Sequence, residues 1–121
     1  LSLDYPDFLI ASSEWFAFVP AKEYFDEPGD HADELETSVM MHYHPELVNL
    51  DEAGNGDYKK FTSQMLNEKA AWIPRNWQKV SQDTGIGNPK KASAGKGKKY
   101  AEAVVAKYAL LFEELVHKEL Y

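Results

Sequence analysis

Asp7-Phe8-Leu9-Ile10-Ala11-Ser12-Ser13 is the stretch on which the fold class turns. An apolar run without alternation, closed by small polar residues, predicts a strand covered on both faces, as in a parallel sheet. The other decisive stretch lies at the far end. From about Ser93 the chain reads as helical to near its end. Val104, Val105, Tyr108, Leu111, Phe112, Leu115 and Val116 recur at i, i+3, i+4 and i+7 and trace one apolar face. Each large side chain on such a face contributes roughly 1.5–3 kcal/mol when buried. The face must therefore lie on another layer, and a sheet is the natural one. The expectation is an α/β fold with a mainly parallel sheet between helix layers. A length of 121 residues sets one domain over 1–121 and leaves no room for two.

Between these ends the reading is more local. Trp15-Phe16-Ala17-Phe18-Val19 is stopped by Pro20, and Phe25 to Asp30 is a loop with a Pro-Gly turn. Residues 31–43 read as a helix with Asp30 as N-cap, ended by Pro45. Leu47 to Leu50 is a short apolar run, and Asp51 to Asp57 a loop. Tyr58 to Ala71 could be a short helix or an irregular excursion. Trp77 to Ser81 could be a strand, and Thr84 to Pro89 is a turn-rich loop. The aromatic-rich stretch Trp72 to Trp77 suits core packing or an interface. One strong strand and two helices are thin for a self-sufficient domain, and the long helix calls for more sheet than this. Together with a first residue of Leu1 rather than Met, that suggests a piece of something longer.

Composition narrows the function. Apolar residues are 44% and charged residues 27%, so neither disorder nor a fibre is indicated. No run reaches the roughly 18 apolar residues of a membrane span. The first residues lack the basic start and apolar core of a signal peptide. With no cysteine there is no disulfide scaffold, thiol catalysis or cysteine zinc site, which suits a reducing, cytoplasmic setting. A net charge of −7 speaks against nucleic acid as partner. Residues 1–60 carry fourteen acidic and three basic side chains, hence −11; residues 61–121 carry six and ten, hence +4. The cluster Lys90, Lys91, Lys96, Lys98, Lys99 is expected to fan into water around a helix start.

The segment most able to carry chemistry is Asp30-His31-Ala32-Asp33-Glu34-Leu35-Glu36-Thr37-Ser38, acidic and opened by a histidine. Carboxylates at a helix start are favoured by its dipole, so Asp33 and Glu34 have a structural explanation. A histidine in the first turn does not. There it would be neutral, the form needed for a general base or a metal ligand. Helical spacing puts His31, Glu34, Leu35 and Ser38 on one side. His42 and His44 are read as imidazoles near the last carbonyls of the helix.

His31-Ala32-Asp33-Glu34-Leu35-Glu36-Thr37-Ser38-Val39-Met40-Met41, followed by Pro45-Glu46-Leu47-Val48, resembles the His-Ala-Gly-Glu-x-Glu-Thr-Ser-x-Met-Leu … Pro-x-Leu-Val signature of the creatininase (creatinine amidohydrolase) family. Phe8 to Phe16 resembles the strand and tryptophan that precede it. Gly85 to Gly97 resembles the Gly-x-x-Gly-Asp-Pro segment before the family's last helix. The resemblance covers only the C-terminal half of the family pattern.

What it implies is a metal-dependent hydrolase of an amide-like C–N bond in a small, cyclic or related substrate. The divalent metal (zinc, manganese or iron) would have its ligands mostly outside this chain, which names none. His31 and Glu34 would be the catalytic residues, His31 as general acid/base or substrate-orienting group. Trp15, as a lid, and Asp30 would bind substrate, and Glu36 would stand around the site. The implied partners are the N-terminal half of the same enzyme, a small-molecule substrate and, as often in the family, further copies in a homo-oligomer. Asp33 replaces the signature glycine and adds a carboxylate. A Trp-Asp pair that creatininase carries before the histidine is absent, which disfavours creatinine itself. The rival readings are a non-catalytic assembly module, or a hydrolase of another bond in an oxidised sugar or inositol ring.

Overall fold

Two helices crossing at a point with no side chain between them organise the molecule. The computed structural model describes residues 1–117 and residue 119. Its α-helices are α1 (Glu34–Tyr43), the short α2 (Gln64–Asn67) and α3 (Trp77–Val80), and the long α4 (Ala94–His117). Short 3₁₀ turns at Trp15–Ala17, Ala21–Glu23, Pro45–Leu47 and Leu50–Glu52 shape the connections. Helix α4 starts where Ser93 Oγ accepts from the Lys96 amide at 3.3 Å. Gly97 allows α1 to pack on it: a Cβ there would stand 1.9 Å from the Ser38 carbonyl oxygen. Ser38, fully buried, locks the crossing. Its hydroxyl donates to Glu34 O at 2.6 Å and accepts from the Ser93 amide at 3.1 Å.

The core grows outward from Tyr100, which is 0% exposed. Its ring meets those of Phe25 at 5.2 Å, Tyr24 at 5.4 Å and Trp15 at 6.0 Å, edge-on in each case. Its hydroxyl donates to Val19 O at 3.1 Å and Phe16 O at 3.2 Å, so the buried polar tip is satisfied. Val19, Leu35 and Val104 complete this core.

The expected sheet is not there. Among the described residues no strand forms; there are only two isolated antiparallel bridges, His31 with Ile86 and Tyr58 with Ser81. The α/β expectation is therefore corrected to helices joined by long irregular segments. Asp7 to Ser13 is irregular chain, with Phe8, Leu9 and Ile10 exposed. An apolar run states that burial is favourable, but a strand also needs a neighbour to take its backbone hydrogen bonds. Trp77 to Val80 is a helical turn rather than a strand, and only Ser81 makes a bridge. Helix α4 lies on α1 and on the 15–25 segment. Its face is only partly covered: Val104 is buried and Tyr108 packs on Phe18 at 4.2 Å, while Val105, Phe112 and Val116 are exposed. No described helix is long and apolar enough to cross a membrane.

Candidate functional site

The acidic segment folds as a loop followed by a helix, and the boundary falls later than its sequence suggests. The N-cap of α1 is Asp33, not Asp30. Asp33 Oδ1 accepts from the Glu36 amide at 2.9 Å, and Oδ2 accepts from the Gly29 amide at 2.5 Å. Glu36 reaches back to accept from the Ala32 amide at 2.6 Å, a reciprocal cap in the manner of a capping box. Asp33, 3% exposed, is thus a helix cap rather than a carboxylate offered to a ligand.

His31 precedes this cap, so it is not in the first turn, and the dipole reasoning applied to it there loses its premise. Its backbone is pinned instead. The Ile86 carbonyl accepts from the amides of Asp30 at 2.7 Å and His31 at 3.2 Å, and the Ile86 amide donates to His31 O at 2.8 Å. Gly87 makes this approach possible: its φ is +128°, and a Cβ would lie 2.9 Å from Gly29 Cα. Ala32 follows at φ +48°, turning the chain into α1. The imidazole is held half-exposed, with 45% of the side chain accessible. Its Nδ1 lies 3.6 Å from Glu36 Oε2, and its ring centroid 5.0 Å from that of Trp77.

The other expected residues are engaged with other partners. Glu34 is 0% exposed, with one oxygen on Lys96 Nζ and the other accepting from the Glu27 amide at 2.7 Å. Lys96 also bonds Asp26 at 2.9 Å, and Lys91 pairs with Glu27 at 2.7 Å. The expectation that these lysines fan into water is corrected: two of them bind the acidic loop. The hydrogen bond and charge of Lys96 hold the Asp26 carboxyl below its ordinary range, and Asp26 and Glu34 hold Lys96 above its own. Asp30 is ion-paired with Arg75. Trp15 packs against Tyr100, whereas the indole facing His31 is that of Trp77. Trp15 does line a cavity of about 550 Å³ whose wall also includes Ala32, Glu36, Met40, Val48, Leu50 and Asp83. At that wall Asp83 accepts from Ser81 Oγ at 2.9 Å and the Gly85 amide at 3.0 Å, which keeps its carboxyl below the ordinary range. His42 stacks beside Tyr43, and His44 faces Glu46 at 3.3 Å.

Three neighbours of His31 went unselected or half-selected in the sequence: Glu36, Arg75 and Trp77. The latter two lie in an excursion whose course no local pattern discloses. The one available signal was the aromatic and cationic density of 72–77. No group of three or more His, Cys, Asp or Glu side chains able to hold a metal is gathered among the described residues.

His31 is thus a half-exposed histidine, pinned through its backbone to Ile86 and followed by the capped start of α1. The profile of the creatininase family, described as creatinine amidohydrolase, matches residues 6–112, and the chain belongs to that family. Among solved structures, it is similar to that of a putative creatinine amidohydrolase from Bacteroides fragilis NCTC 9343, with 57% identity and a TM-score of 0.89. The match covers 99% of this chain but 48% of that one, so the chain spans about half the length of its structural relative. Among curated proteins no relative matches.

Proposed function

We propose that this chain is one half of a metal-dependent hydrolase that cleaves an amide-like C–N bond of a small substrate, and that it acts only together with the other half. Family membership supports hydrolysis of an amide bond, and the name borne by the structural relative points the same way. The observation that carries the reading is His31: half-exposed, fixed through its backbone, with Nδ1 facing a carboxylate. An imidazole so placed can take a proton from an attacking water and return it to the leaving nitrogen, with Nε2 as the nitrogen not facing Glu36. Glu36 orients the ring. Glu34 belongs to the scaffold, since both its oxygens are committed. Trp15 contributes an apolar wall to the adjoining cavity. The described residues gather no metal centre of their own, so the divalent ion would be held by the remainder of the protein.

The test is made in the complete protein. Small cyclic amides, formamides and creatinine are offered with added zinc, manganese or iron, and release of amine or acid is measured. His31→Gln is expected to lower kcat by a factor of about 10²–10⁴, and a chelator to abolish turnover. Unchanged turnover in His31→Gln would remove His31 from the chemistry. Full activity after exhaustive chelation would remove the metal.

A further inference from the structure

We propose that Trp77 is a positioning residue for His31, and that the Asp30–Arg75 ion pair is the clamp that holds it there. Its effect on turnover rests on the hydrolase reading above; its geometry does not. Residues 58–81 leave and rejoin the body at one point. Tyr58 bridges Ser81, the Lys59 amide donates to Val80 O at 2.8 Å, and Ser81 Oγ donates to Asp83 at 2.9 Å. Beyond that base several large apolar side chains are open to solvent: Trp72 is 82% exposed and Met65 52%. Among the described residues, the side-chain hydrogen bonds, ion pairs and ring contacts tying this far part to the body are Arg75 with Asp30 and Trp77 with His31.

These two contacts act as one device. Asp30 and His31 are consecutive, and Arg75 and Trp77 are two residues apart, so the ion pair and the ring contact cross-link the same two short segments in parallel. The Arg75 guanidinium also faces the Trp77 ring, 5.7 Å from its centroid, so one cation serves Asp30 and the indole together. On the receiving side, the amides of Asp30 and His31 are both fixed on Ile86 O. The charged groups facing the imidazole are Glu36, at 3.6 Å from Nδ1, and the Asp30–Arg75 pair beside it. With its backbone bound, one nitrogen facing Glu36 and its ring against Trp77 at 5.0 Å, the side chain has little freedom to leave this rotamer. A half-exposed histidine without the indole would sample others, and acid/base catalysis is sensitive to displacements of that size.

The ring contact can be read without turnover. In a Trp15→Phe/Trp72→Phe background of this 121-residue chain, Trp77 is the sole indole, and an imidazolium held against it quenches its fluorescence. Emission at acid pH is expected to be at least twofold below that at alkaline pH, and His31→Gln to abolish that step. Arg75→Gln or 1 M NaCl should reduce the step by half or more, because an exposed ion pair is screened. Lys98→Gln, which removes the outlying Lys98–Glu102 pair at 3.9 Å, should leave it intact. In the complete protein Trp77→Ala should lower kcat at least tenfold with a smaller change in KM, and Trp77→Phe should restore most of it. A quenching step that survives His31→Gln, or is indifferent to Arg75→Gln, overturns the clamp. Unchanged kcat in Trp77→Ala, where His31→Gln inactivates, overturns the positioning role. If no substrate is turned over at all, the hydrolase reading falls and the fluorescence steps alone decide the clamp.

Discussion

Replacing Lys96 by Met should cost this protein more than any other single change to its surface charge. Lys96 faces Glu34, whose carboxylate is 0% exposed and, among the described residues, otherwise accepts from the Glu27 amide at 2.7 Å. Removing the lysine strands a buried charge with one remaining donor, and breaking a buried pair from one side costs about 3–5 kcal/mol. The Lys96 side chain is 31% exposed, so water can reach the vacated place, and the low end, about 3 kcal/mol, is expected. Release of Asp26, itself 63% exposed, adds little. For a domain of this length that is a fall in Tm of about 10–15 °C. Far-ultraviolet circular dichroism during thermal and urea melts at neutral pH would measure it. Adding Glu34→Gln removes the stranded charge and should recover half the loss or more, a coupling of about 1.5–2 kcal/mol in a double-mutant cycle. A loss below about 1 kcal/mol, or a double variant no more stable than Lys96→Met, would refute the buried-pair reasoning.

Two glycines in the first turns of α4 should respond oppositely to alanine. Gly97→Ala places a Cβ 1.9 Å from the Ser38 carbonyl oxygen and should cost about 1–3 kcal/mol in urea melts as the helices are forced apart. Gly95→Ala meets nothing within 4 Å and should gain about 0.5–1 kcal/mol from helix propensity. Tyr100→Phe keeps the ring contacts but leaves Phe16 O and Val19 O without their donor, for a loss of about 1 kcal/mol by the same measurement. Stability should form a plateau against pH. Asp26 lies below its ordinary 3.8, so its contribution is present above that value and lost as pH falls through the lower folded value. Lys96 lies above its ordinary 10.5, so its contribution is complete below that value and lost as pH rises through the higher one. Tyr100, raised above its ordinary 10.0 chiefly by burial, adds to the alkaline fall. Urea midpoints at acid, neutral and alkaline pH test this; Lys96→Met should flatten part of the alkaline limb.

What could be read from the sequence was what depends on neighbours within a turn or two. The start of α4 follows from Ser93 and the spacing of its apolar residues, and the loop at 84–89 from its glycines and proline. The start of α1 was misplaced by three residues because Asp30 and Asp33 are both competent caps. The choice between them is made by Ile86, which occupies the Asp30 and His31 amides from a distant part of the chain. The same limit explains Asp7 to Ser13, where the apolar pattern was plain but no strand lies beside it. It also explains the site. Trp15 was the tryptophan nearest in sequence order to the signature, yet it belongs with Tyr100, while the indole at His31 comes from position 77. The signature histidine was legible as a motif; what surrounds it was not, because those partners arrive through the irregular excursion.

The charge asymmetry of the two halves takes its meaning from this arrangement. The acidic residues of 26–36 look like a cation site until each is followed to its partner. Asp26 and Glu34 share Lys96, Glu27 holds Lys91, Asp30 holds Arg75, Asp33 caps α1, and Glu36 takes the Ala32 amide. The exposed pairs among these contribute little stability each, roughly 0–1 kcal/mol, so their effect is chiefly geometric. They fasten one loop to the start of α4 on one side and to the 58–81 excursion on the other. His31 stands inside that fastened loop, half-open to solvent, with Nδ1 facing Glu36 and its neighbour Ala32 on the wall of the cavity. An acidic cluster built to bind ions would leave its carboxylates unpaired and converging. This one commits them to pairs and caps that fix the loop on which His31 stands, and under the proposed hydrolase reading that fixity is what a proton-transferring group requires.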